Sequence, residues 1–146
     1  MANPVVRRRL ALTTILVEDY DAAMAFYVGK LGFALLDDTS LTPTKRWVVV
    51  APTHGEGGGL LLARAVDARQ RRAVGDQSGG RVFLFLETDD FDRDHRDFVT
   101  AGVRFLEQPR REPYGTVAVF EDLYGNRWDL IERAPRAPAP DADGQD

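Results

Sequence analysis

The 146-residue chain contains no cysteine. That removes disulfides, thiolate metal sites and a cysteine nucleophile together. An excess of positive charge is missing too: the net charge is −4 and the pI near 5.2, so there is no basic surface to meet nucleic acid or an anionic membrane. No apolar run approaches the length needed to span a bilayer. The segment RRRLALTTILV begins like a secretory signal, but its apolar stretch is short, Glu18 and Asp19 end it, and no small-residue cleavage pattern follows. A cytoplasmic protein with no nucleic-acid or membrane partner is expected. Histidine is scarce, with His54 in the glycine-rich stretch THGEGGG and His95 in the charged run DRDHRD. Both are read as surface residues. THGEGGG lacks the GK[ST] ending of a phosphate loop and precedes a strand, which leaves it a flap or a plain hairpin.

What is present is a sentence said twice. LTTILVEDYDAAMAFYVGKLGFALLDD, from Leu12, is echoed by FLFLETDDFDRDHRDFVTAGVRFLEQ, from Phe83. With Leu12 set on Phe83, Val17 falls on Thr88, Asp19 on Asp90, Tyr20 on Phe91, and a one-residue slip sets Gly32 on Gly102. Each copy is an apolar run, an acidic turn, an amphipathic segment and a glycine. The 44% hydrophobic content suffices for one domain with a substantial core. Its expected organisation is an arm over 1–9, a folded unit over 10–133 and a disordered tail over 134–146. The folded unit divides into modules at 10–65 and 81–133, joined by a polar connection at 66–80.

Within the first module, Leu10 to Val17 reads as a strand buried on both faces. Asp19 is a helix N-cap, Ala22, Ala23, Phe26, Tyr27 and Leu31 share a helical face, and Gly32 closes the helix. Strands follow at 33–38, 45–51 and 60–65. The second module repeats this with strands at 81–88, 103–107, 115–121 and 127–133 around a helix capped by Asp90. The connection has room for about one helical turn. The Pro/Ala/Asp-rich tail buries too little apolar area to offset its ordering entropy.

VEDYDAAMAFYVGKLGF and the closing EDLYGNRWDLIER make the repeat similar to the vicinal oxygen chelate superfamily of glyoxalase I, bleomycin-resistance proteins and extradiol dioxygenases. The resemblance covers about residues 10–133 and is closest to a bacterial branch of glyoxalase-family proteins. It implies an α+β fold of two βαβββ repeats, their strands forming a curved mixed sheet around a central cleft with helices on the outer face. Members commonly form homodimers, and a homodimer is expected here. Metal-using relatives take ligands from the first and last strand of each half. Those positions here are Leu12, Leu60, Phe83 and Asp129. Only Asp129 carries a donor, and one carboxylate is not a metal site. No metal and no other cofactor is expected.

With Leu12, Phe83 and Asp129 pointing into the cleft, strand alternation adds Thr14, Leu16, Phe85, Glu87, Arg127 and Ile131. Trp47 and Tyr114 are candidates to stack on a ligand, whereas Trp128 faces the helices as core. The candidate binding cleft is thus Leu12, Thr14, Trp47, Leu60, Phe83, Phe85, Glu87, Tyr114, Arg127 and Asp129, largely apolar with few polar groups, as small-molecule pockets are. Glu87 has two readings: a desolvated general base, the one catalytic candidate, or a solvated carboxylate paired with an arginine. Three functions follow: a metal-free small-molecule-binding protein; a lyase, isomerase or dioxygenase using an unusual ligand set such as Glu87, Glu121 and Asp129; or an interaction module without a ligand.

Overall fold

The computed structural model describes residues 5–55 and 57–135. Residues 1–4 of the expected arm, Glu56 of the glycine-rich stretch and 136–146 of the expected tail lie outside them.

The first half builds β1 (Leu12–Val17), β2 (Ala34–Ser40), β3 (Arg46–Ala51) and β4 (Gly59–Arg64) into a sheet of order β1-β4-β3-β2. β1 and β4 run parallel, with Thr14 beside Leu61 and Val17 beside Arg64; the other pairs are antiparallel. The second half repeats the pattern. β5 (Val82–Glu87) lies parallel to β9 (Arg127–Arg133), followed by β8 (Gly115–Glu121) and β6 (Arg104–Phe105). The fold is α+β, with two mixed sheets of like topology rather than one continuous sheet.

β6 is shorter than the expected 103–107, and β7 (Arg110–Glu112), absent from the sequence reading, takes the next stretch of the β8 edge. Pro109, which has no amide hydrogen, falls between them, where no ladder bond is needed.

Asp19 caps α1 (Tyr20–Met24) by accepting from the Ala22 amide at 2.7 Å, and the helix continues as a π-helical turn, Ala25–Lys30. The wider turn lets adjacent Phe26 and Tyr27 both face inward; Ala22, expected on that face, is exposed. Gly32 follows at φ 73°, the left-handed conformation that ends many helices. α2 (Ala68–Ala73) lies in the connection, capped by Asp67, and α3 (Phe91–Thr100) is capped by Asp90.

One face of each sheet packs on the helices, and both halves share a single core there. Ile15, Val17, Val48, Val50 and Leu62 from the first sheet join Leu86, Ala118, Phe120, Trp128 and Leu130 from the second. Tyr27 of the π-helical turn lies 5.9 Å from the Trp128 ring, which stacks on Phe120 at 6.0 Å. Each such side chain contributes about 1.5–3 kcal/mol by leaving water, so the shared core binds the halves together. The expectation that β1 is buried on both faces fails: Ile15 and Val17 are buried, while Leu12 and Thr14 are exposed and Leu16 only half-buried. No helix or strand among the described residues packs over the second face.

Candidate functional site: the two open sheet faces

The faces turned away from the shared core carry the candidate residues. On the first sheet these are Leu12, Thr14 and Leu16 of β1, Trp47 and Val49 of β3, and Leu61 and Ala63 of β4, placed together by the pairing of Thr14 with Leu61 and Leu61 with Val49. A groove of about 470 Å³ opens at one end of this face, where Trp47, Leu61 and Ala63 meet Tyr20, Val66 and Gln70. Leu60 is not on this face. It is 4% exposed and belongs to the core, because matching Arg64 to Arg133 slips β4 by one residue and a one-residue slip exchanges the faces of a strand. Leu61, missed in the sequence, stands in its place. The parallel register with β1 is the signal that finds it, and the linear sequence does not carry that register.

On the second sheet, β5 and β9 bring Phe85 beside Asp129 and Glu87 beside Ile131, and β8 adds Val117 and Val119. Phe85 is 66% exposed. A register shift between Val82 and Leu84 interrupts the alternation at Phe83, which packs against the core cluster, so parity counted through Phe83 does not apply. Arg127 is exposed at the end of β9. Tyr114, on the β7–β8 turn, is half exposed and lines a depression with Pro113 and Arg133.

Glu87 lies on the open face, but its side chain is 61% exposed and pairs with Arg133 at 3.4 Å. It lacks the desolvation that would make it a general base, and the reading as a solvated, arginine-paired carboxylate replaces that one. His95 is also corrected: it is no plain surface residue but packs between the rings of Phe91, at 5.5 Å, and Phe105, at 4.3 Å. His54 is exposed in its loop.

Asp129 is the buried polar group of the second face. It is 9% exposed, and its Oδ1 has no hydrogen-bond partner among the described residues. Burial raises its pKa from its ordinary value; the charge of Arg110 opposes the rise and that of Glu107 adds to it. Neither neighbour was picked out in the sequence. Arg110 is committed to Glu107, whose carboxylate it grips at 2.8 Å and 3.3 Å, and Glu107 also accepts from the Val119 amide at 2.9 Å. The arginine, first, and the Val119 amide hold Glu107 below the usual carboxylate range against its partial burial. The three-residue spacing of Glu107 and Arg110 around Pro109 was the available signal.

The profile of the Glyoxalase/Bleomycin resistance protein/Dioxygenase superfamily matches residues 9–130. The chain belongs to that superfamily. Its relatives include an uncharacterized protein of Shewanella frigidimarina, 48% identical over 134 residues, or 91% of this chain and 99% of the relative. Among solved structures, UcmS2 is similar at 30% identity and a TM-score of 0.75, covering 87% of this chain and 99% of its own. TnmS3, an antibiotic binding protein from Streptomyces sp. CB03234, is 29% identical with a TM-score of 0.73, covering 90% of this chain and all of its own.

The superfamily's divalent metal finds no donor set among the described residues. Leu12 and Phe83 are hydrocarbon, Leu60 lies in the core, and Leu61, which replaces it on the open face, has no donor either. The alternative set also fails: Glu87 is paired with Arg133 and Glu121 with Arg104, at 3.2 Å. Among the described residues, no three His, Asp or Glu side chains are grouped to hold a metal ion. Asp129 alone does not satisfy a divalent cation.

Proposed function

We propose that this superfamily member binds a partly apolar small molecule without a metal, in a cleft that two copies complete. The observation that carries the reading is the make-up of the open faces: Leu12, Leu61 and Phe85 stand around the strand positions where metal-using relatives place ligands, with Asp129 as the buried polar exception. A mostly apolar lining with one or two polar anchors is the ordinary composition of a ligand site. The likeness to TnmS3, described as antibiotic binding, supports the same class of function.

A second copy enters for a geometric reason. Both open faces lie on the sides of their sheets away from the common core, so one chain alone does not close a ligand between them. Setting the first-half face of each copy on the second-half face of the other closes two equivalent clefts about a twofold axis, and no apolar face is left over.

The test combines two measurements. Light scattering after size exclusion is expected to give a dimer, and a thermal-shift screen of aromatic and apolar compounds is expected to give saturable stabilisation without added metal. A monomer with no hit across a broad library overturns the reading.

A further inference from the structure

We infer that the ligand of this cleft carries a hydrogen-bond donor, a hydroxyl or an amine, on an aromatic or apolar frame, and that the donor closes on Asp129. This rests on the reading of the open faces as a binding cleft and names the chemistry recognised there.

The inference starts from what surrounds Asp129. Its strand neighbours are Phe85 on β5 and Val119 on β8, which offer apolar side chains. The cation near it, Arg110, directs its Nε and Nη2 at Glu107, and its Nη1 lies 3.8 Å from Glu112. Arg133, on the same strand, is taken by Glu87. Oδ1 is therefore a buried acceptor for which the described residues supply no donor. Native proteins seldom leave such an atom unpaired, because a buried polar group without a partner forfeits its hydration. It sits beside the exposed ring of Phe85, so a planar frame resting on that ring brings a substituent to the carboxylate.

A matched set of probes on the full-length protein separates the possibilities: naphthalen-2-ylmethanamine, naphthalen-2-ylmethanol and 2-methylnaphthalene share one ring system and differ in the donor. Isothermal titration is expected to show the first two binding roughly tenfold or more tighter than the third, the value of a hydrogen bond to a charged acceptor. Asp129→Leu is expected to bring all three to the affinity of 2-methylnaphthalene, and unchanged binding of that probe shows that the variant keeps its cleft. Asp129→Asn, which keeps an acceptor but no charge, is expected to lose the preference for the amine and retain much of that for the alcohol. Equal affinity of all three for the unaltered protein overturns the inference and leaves the cleft standing. Donor preference that survives in Asp129→Leu also overturns it. Failure of all three probes to bind overturns the inference, while the reading beneath it falls only with a monomer and an empty broad screen.

Discussion

The Tyr27 hydroxyl donates to Asp122 Oδ2 at 2.6 Å, joining the π-helical turn of the first half to the tight turn before the last strand of the second. The same hydroxyl accepts from the Trp128 indole nitrogen at 3.2 Å. Asp122 also accepts from the Tyr124 and Asn126 amides and from the Asn126 side chain, so the D-x-x-G-N motif that announces the superfamily serves here to staple the halves. Burial first, and then the Asp122 charge, raise the Tyr27 pKa well above its ordinary value, keeping it a donor.

Removing that hydroxyl strands the Trp128 indole N–H and takes one of several donors from Asp122, without changing the packing. Tyr27→Phe is expected to lower stability by about 1–3 kcal/mol, the cost of an unpaired buried donor and a weakened acceptor. Urea denaturation with an unchanged slope checks it.

The connection between halves is held by Gln77, whose amide accepts from the Leu16 N–H at 2.6 Å and donates to the Thr14 carbonyl at 3.1 Å, imitating one residue of a neighbouring strand on the free edge of β1. Gln77→Ala is expected to cost about 1 kcal/mol, since water replaces part of the loss. Faster amide exchange at Leu16, measured by NMR, reads the local opening directly.

Gly75, nearby, has φ +76°, and an added Cβ would meet the Tyr124 carbonyl oxygen. Gly75→Ala is expected to destabilise by at least about 2 kcal/mol through backbone strain and displacement of the Tyr124 turn. A lowered midpoint in thermal unfolding is the measure.

Asp129 has a pKa raised by folding, so the folded state holds its proton more tightly than the unfolded chain does. Its contribution favours folding at acid pH and is lost as pH rises through the folded pKa. Glu107, with a lowered pKa, works the opposite way, so a variant must be compared with the parent rather than the parent curve read alone. Asp129→Asn is expected to gain stability relative to the parent as pH rises above the ordinary aspartate value of about 3.9 and to level off once Asp129 is ionised in the folded state. Unfolding free energies across that range test the sign.

Metal removal is expected to change nothing. Dialysis against a chelator leaves the unfolding midpoint in place, and added Mn, Fe, Ni or Zn does not raise it. A bound metal at a hundred times its Kd would add about 2.7 kcal/mol, well within detection.

Much of this was legible in the linear chain because it is written in local chemistry. The caps at Asp19 and Asp90, the glycine closing the first helical segment, the order of strands and the duplicated unit depend on short-range spacing and periodicity. So did the assignment of Trp128 to the core, which needed only strand alternation. The tertiary structure decided what depends on register and on long-range packing. Leu61 rather than Leu60 reaches the open face because β4 pairs in parallel with β1 at one register. Glu87 is solvated because the second face is open where it stands. Asp129 Oδ1 is buried with no donor among the described residues because Arg110, nineteen residues earlier in the chain, turns to Glu107 instead.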